Sequence, residues 1–347
     1  MEETSPEKPA DARWARKRLS PDAYLEGILS GDRVVLGQAI TLVESMRPED
    51  RVLAESLLER CLPHSGRSIR VGITGSPGVG KSTFIESLGL HLVNNGHQLA
   101  VLAIDPSSQF SKGSILGDKT RMAQLSAHES AFIRPSPAGE SLGGVARQTR
   151  EAITLCEAAG YDVVFVETVG VGQSETAVRS MVDCFLLLLL PGAGDELQGI
   201  KRGIVEMADL LVVNKADGER LPLAKRAKAE YQNALHLFPV KGNGWIPKVL
   251  LSSALDHQGI PETWTAIENY CEFTQANGYW DTSRKDQARF WLYESIEQQL
   301  YDAFFHDPRV EAALPGIEKA VREGQMSAFQ GARQLLGMCL KISDLKK

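Results

Sequence analysis

The chain has 347 residues, of which 43% are hydrophobic and 24% charged, with a formal net charge of -6. That length and apolar content allow a large buried core with smaller flanks and exclude an intrinsically disordered chain. The acidic balance argues against the broad basic face that a nucleic-acid partner needs. The longest strongly apolar run, residues 185–190, is far short of the ~20 residues that cross a membrane, so no membrane association is expected either.

Residues 1–20 are dense in Glu, Lys, Arg and Pro, lack an apolar run that could serve as a signal-peptide core, and read as a polar tail. Across 21–66 apolar residues recur at helical spacing, first Leu36, Ile40 and Val43, then Leu53, Leu57 and Leu58. Gly31 and Pro48 divide this stretch into two or three helices. From Ser68 the pattern changes to short apolar runs alternating with helix-length segments: 69–74, 99–104, 131–133, 163–166, 185–190, 210–213 and 249–251. Such alternation predicts an α/β fold with a doubly wound, mostly parallel sheet, here spanning 67–278. Beyond about Asn277 the strands stop, and 288–305 and 317–340 are again helical, within a C-terminal arm of residues 279–347. Its aromatics Phe290, Trp291, Phe304 and Phe305 need a surface to cover them, on the body or on a second subunit. Five cysteines, Cys61, Cys156, Cys184, Cys271 and Cys339, stand far apart without a CxxC pair, which points to a reducing compartment such as the cytoplasm.

Gly75-Ser76-Pro77-Gly78-Val79-Gly80-Lys81-Ser82 fits GxxxxGK[ST] between a predicted strand and a predicted helix. The glycines let backbone N–H groups turn toward phosphate, and the helix that follows adds the positive end of its dipole. Lys81 supplies charge to the terminal phosphates and Ser82 a hydroxyl to magnesium.

Adenine and guanine differ at the 2-amino group and N1–H, two donors that one carboxylate can accept together. Asn214-Lys215-Ala216-Asp217 places such a carboxylate just after the apolar run 210–213 and fits [NT]KxD. Asp217 takes the two donors, the Lys215 stem covers the base, and Asn214 braces the loops. Ser252-Ser253-Ala254 follows the next strand and can offer a backbone N–H to the guanine carbonyl. A solvated turn is the alternative reading of NKxD taken alone; the phosphate loop upstream favours a guanine nucleotide, GTP or GDP.

Magnesium wants hard oxygen ligands near Ser82. Asp105 closes the run 99–104, Glu167 closes 163–166, and Asp118 lies in the polar stretch 106–120; each also fits a plain loop carboxylate or a helix cap. Glu167-Thr168-Val169-Gly170 stands where many GTPases carry DxxG, with Gly170 set to donate its N–H to the γ-phosphate. Val171 follows where small GTPases place a water-orienting glutamine, and Gln173 is displaced by two positions. Lys201, in the polar segment 195–202, is either the solvated face of a helix or a cation brought to the phosphates during hydrolysis.

Asp105-Pro106-Ser107-Ser108, the stretch from Gly113 through Gly117-Asp118-Lys119-Thr120 to Met122, the run Glu167 to Ser174 and Gly194-Asp195-Glu196-Leu197-Gln198-Gly199-Ile200-Lys201 together resemble the MeaB-type GTPases. The likeness covers about residues 22–345. It implies a magnesium-dependent GTPase of the signal-recognition-particle and metallochaperone superclass, homodimeric through its C-terminal helices. Its expected partner is an adenosylcobalamin-dependent acyl-CoA mutase, for which it gates cofactor loading and gives protection or reactivation. In that family the residues matching Ser82, Asp105, Asp118 and Glu167 surround magnesium. Those matching residues 75–83, Thr83 included, with Asn214, Lys215, Asp217, Ser253 and Ala254, hold the nucleotide, and the segment around Lys201 matches a switch. No DxHxxG cobalamin pattern occurs, since Asp256-His257-Gln258-Gly259 has the wrong spacing, so cobalamin belongs on the partner. Residues 1–20 and 239–247 carry no assignable chemistry. A nickel or cobalt metallochaperone is the alternative, weakened by the scatter of the seven histidines; a kinase is the third reading, disfavoured by a guanine-reading Asp217.

Overall fold

The computed structural model describes residues 18–45, 47–104, 122–135, 142–168, 174–192 and 202–339. Three helices lead, α1 (Pro21–Leu29), α2 (Arg33–Val43) and α3 (Pro48–Cys61). Ser20 and Asp32 cap the first two by accepting from backbone N–H groups of the opening turn. The alternating region then runs β1 (Ile69–Gly75), α4 (Lys81–Asn94), β2 (Leu99–Ile104), α5 (Ala123–Ala127), β3 (Ala131–Arg134), α6 (Leu142–Ala158), β4 (Val163–Thr168), α7 (Ser174–Arg179) and β5 (Cys184–Leu189). It continues through α8 (Arg202–Met207), β6 (Leu210–Val213), α9 (Leu221–Leu235), β7 (Lys248–Leu251) and α10 (Ile260–Ala276), and ends in α11 (Tyr279–Phe305), α12 (Pro308–Arg322) and α13 (Ala328–Cys339).

Among the described residues all seven strands are parallel, in the order β3-β2-β4-β1-β5-β6-β7. Helices cover both faces, so most strands are buried along their whole length and read as unbroken apolar runs. The alternation of side chains still shows. Val164 and Val166 of β4 join the core beneath α1–α3 and α6, whereas Val163 and Phe165 join the core beneath α4 and α10. With β1 central, the chain departs to one side for β2 to β4 and to the other for β5 to β7. That reversal puts the carboxyl end of β1 at the switch point where such sheets bind ligands.

The predicted strands are all present, with ends moved by one or two residues. The helix expected over 288–305 is the distal part of a 27-residue helix. The stretch 317–340 is two helices rather than one. Gly324, at φ +73, closes α12 in the left-handed conformation that ends helices, and the Ser327 hydroxyl accepts the Gln330 N–H to open α13. Trp291 of α11 is buried against the body with its indole N–H on Ser180 O at 3.0 Å, while Leu292, Tyr293, Leu300 and Tyr301 on the same helix are more than half exposed. Among the described residues no helix is long and apolar enough to cross a membrane.

Candidate functional site

The loop 75–81 links β1 to α4 at the switch point. Gly75 must approach the neighbouring strand, since a Cβ there would lie 2.7 Å from Leu188 O. Gly80, the residue before α4, sits at φ +94, and a Cβ on it would come within 3.0 Å of the Asn214 amide nitrogen. Val79 is fully buried and anchors the loop, leaving Pro77 and Gly78 exposed at its tip. Lys81 donates from Nζ to Gly75 O at 2.8 Å and Ser76 O at 3.4 Å, so the ammonium lies along the loop. Burial pushes the Lys81 pKa below the ordinary lysine value, against the opposing charges of Glu167 and Glu175. Ser82 and Thr83 occupy the first turn of α4, where the N–H groups lack intrahelical acceptors.

Glu167 is buried near the end of β4, in register with Ile73 of β1 on one side and Ala103 of β2 on the other. Beside it the Thr168 hydroxyl donates to Thr74 Oγ1 at 2.8 Å, both side chains fully buried, which ties the tips of β4 and β1 together. Asp105, Asp118, Gly170 and Lys201 lie outside the described residues. The donor set within them fits magnesium: a hydroxyl at Ser82 and a carboxylate at Glu167 are hard oxygens near the phosphate loop, and magnesium completes its octahedron with phosphate oxygens and water.

The residues expected from the sequence to read guanine are bound to that loop rather than merely near it. Asn214, 1% exposed at the end of β6, donates from Nδ2 to Val79 O at 2.9 Å and accepts the Ala254 N–H on Oδ1 at 3.2 Å. Lys215 adopts a left-handed φ of +57 and reaches Gly78 O with Nζ at 2.7 Å. The Ala216 N–H donates to Ser252 O at 3.0 Å, which joins the loops after β6 and β7. Ser253, fully buried, donates from Oγ to Asp217 Oδ2 at 2.7 Å and is itself held by paired backbone bonds with Gln258. The half-exposed Asp217 carboxylate is therefore aimed by a neighbour, and its second oxygen has no hydrogen bond among the described residues. Three loops distant in sequence form one bonded unit. It presents a lysine, a helix N-terminus and a carboxylate, which is chemistry for the phosphates and base of a purine nucleotide.

Three features, two of them at this site and one at the opposite end of the sheet, carry no local signal in the sequence. One is the Thr74–Thr168 pair. Another is Ser87 on α4, whose hydroxyl lies 2.6 Å from His257 Nδ1, fastening α4 to the loop that carries Ser253. The third is Asp209, fully buried just before β6. It takes the Lys241 ammonium at 2.9 Å and the Arg179 guanidinium at 3.5 Å, while Trp245 donates to its carbonyl at 3.0 Å. The stretch 239–247 thus has a structural role, supplying Lys241 and Trp245 to this joint.

Fold and site together define a P-loop GTPase. The sequence pattern of the family described as "Methylmalonyl Co-A mutase-associated GTPase MeaB" matches residues 36–309. The chain belongs to that family, hydrolyses GTP and so binds guanine nucleotide. It is 46% identical over 305 residues to the GTPase ArgK of Escherichia coli, covering 88% of this chain and 92% of that one. It is also 46% identical over 325 residues to the mouse "Methylmalonic aciduria type A homolog, mitochondrial", covering 91% of this chain and 78% of the relative. A solved structure titled "LAO/AO transport system kinase" superposes with a TM-score of 0.71 at 39% identity, over 92% of this chain and 97% of that one.

Proposed function

We propose that the chain is a magnesium-dependent GTPase that serves an adenosylcobalamin-dependent acyl-CoA mutase, gating cobalamin loading and protecting or reactivating the mutase. The observation that carries the reading is the bonded unit of phosphate loop, Asn214 and the Ser252–Ala254 loop, within a chain whose family is named for association with such a mutase. Ser82, Asp105, Asp118 and Glu167 would hold the magnesium ion, which when bound screens the phosphate charge. Lys81 neutralises the terminal phosphates, and the backbone N–H of Gly170 donates to the γ-phosphate. Residues 75–83 cradle the phosphates, and Asp217, aimed by Ser253, reads the base. Chemistry of this kind rests on positioning and charge stabilisation. Lys201 supplies a further cation when the mutase docks, so basal turnover is slow. The exposed apolar side chains of α11 favour a homodimer through the C-terminal arm, and scattered free cysteines favour a cytoplasmic setting.

The test measures turnover of the parent and of Lys201→Ala with and without methylmalonyl-CoA mutase, beside a pull-down using a non-hydrolysable GTP analogue. Stimulation in the parent, lost in Lys201→Ala, and nucleotide-dependent capture of the mutase are expected. A parent that neither binds the mutase nor responds to it refutes the chaperone role; a variant stimulated as strongly as the parent removes Lys201 from the scheme.

A further inference from the structure

A second pocket lies at the opposite end of the sheet from the nucleotide loops. Its volume is about 360 Å³, within the range of small-molecule sites, and it is enclosed by the start of β1, the face of α6, the turn after α7 and the first turns of α11. Arg70, on its wall, is five residues before Gly75, or roughly 17 Å of strand away from the phosphate loop. Three arginines line the pocket, and their bonding differs. Arg70 gives both arms to Glu157 at 2.8 and 2.9 Å. Arg284 gives two nitrogens to Asp183 at 2.8 Å each, and also reaches Ser68 O at 2.6 Å. Those two charges are met within the protein.

Arg150 is not met. It is half-buried on α6 and lines the pocket, yet its guanidinium has no hydrogen bond or ion pair among the described residues. It lies over the Trp291 ring in a cation–π contact, 5.8 Å from the centroid. Asp281 stands on the rim without bonding to it. Burial, and then the charge of Arg70, push the Arg150 pKa below the ordinary arginine value, against the opposing pull of the Glu151 carboxylate. Gln287 closes one side of the pocket: its amide donates from Nε2 to Val182 O at 2.8 Å, and its Oε1 is buried out of reach of a ligand. A half-buried guanidinium without a hydrogen-bonding anion is held at a cost in free energy.

The geometry points to a binding site for a small phosphate-bearing molecule, with Arg150 taking the phosphate. A guanidinium presents a planar fork that matches two phosphate oxygens, and Arg70 and Arg284 are too fully engaged to compete for them. The site also touches the turn after α7 directly, because Trp291 closes the pocket while donating to Ser180 O. The ligand would therefore rest against the far end of the helix whose near end follows the Glu167 loop.

The test titrates inorganic phosphate into the full chain saturated with magnesium and a non-hydrolysable GTP analogue, so that the nucleotide site is filled, and reads heat and tryptophan fluorescence. One phosphate per chain is expected, with Arg150→Gln weakening it roughly tenfold to a hundredfold. Arg150→Lys keeps the charge without the fork and should fall between parent and Arg150→Gln. Acetate, which carries less negative charge, should bind more weakly than phosphate. Phosphate affinity equal in the parent and Arg150→Gln overturns the assignment, and so does the absence of phosphate uptake. If Arg150→Gln alters only the monomer–dimer equilibrium, the guanidinium meets an acid of a second copy and the proposal also falls.

Discussion

Replacing Asp217 by Asn tests the base-reading unit with little disturbance to its frame. The amide is nearly the same size as the carboxylate, and its oxygen can still accept the Ser253 hydroxyl that now reaches Oδ2 at 2.7 Å. What changes is the other end of the side chain: an amino group replaces a carboxylate oxygen and faces the guanine N1–H and 2-amino donors. Two charge-assisted hydrogen bonds, at about 1.5–3 kcal/mol each, are lost together; because Asp217 is half-exposed the pair counts for less than the sum, about 2–4 kcal/mol. That corresponds to a fall in GDP affinity of roughly 30-fold to several hundredfold. Xanthine carries a carbonyl where guanine carries the amino group, so XDP should gain as GDP loses. Calorimetric titration of both nucleotides into parent and Asp217→Asn reads the exchange. Equal GDP affinity in the two proteins, with an unchanged melting temperature, would refute the claim that Asp217 reads the base.

Lys81→Ala should abolish turnover, and Ser82→Ala should raise the magnesium concentration needed for half-maximal rate; a Lys81→Ala protein working at the parent rate in a phosphate-release assay contradicts the assignment of charge stabilisation to this lysine. Asn214→Ala leaves Val79 O and the Ala254 N–H without their buried partner, so it should cost about 1–3 kcal/mol of stability and weaken GDP binding in parallel, read by denaturant unfolding and calorimetry. Glu157 predicts a pH dependence. Burial raises its pKa, but the Arg70 charge and the hydrogen bonds from Arg70, Ser68 and Gly66 outweigh that and hold it below the ordinary glutamate value. A depressed carboxylate contributes stability above its unfolded pKa of about 4.3 and loses it as pH falls through the lower folded value. Unfolding scans should therefore show the parent losing stability in acid more steeply than Glu157→Gln, which starts from a lower plateau at neutral pH.

The strands are legible in the sequence because burial on both faces removes the polar half of the usual alternation, leaving short apolar runs between helix-length segments. Their ends are less so. Glu167 and Thr168 extend β4 past its apolar run because they are buried between β1 and β2, a tertiary fact that hydrophobicity along the chain does not contain. The break between α12 and α13 is hidden for a related reason: the apolar period continues across Gly324, and only its left-handed backbone stops the helix. The bracing role of Asn214 is readable, since an amide in that motif has both a donor and an acceptor to share between two loops.

Asp209 shows where sequence reading runs out. A single acid between Ala208 and Leu210 looks like an ordinary strand boundary, and its cations, Arg179 and Lys241, stand 30 and 32 residues away on either side. Yet burying that carboxylate completely is tolerable only because both cations and the Phe185 N–H answer it. Arg179 ends α7, whose beginning follows the Glu167 loop. Lys241 also donates to Met207 O and Ala208 O, closing the end of α8, whose beginning follows the segment that holds Lys201. The two helices that lead away from the phosphate side thus finish on one carboxylate. A rearrangement at the near end of either helix must therefore work against a joint fixed at its far end by a buried carboxylate and two cations.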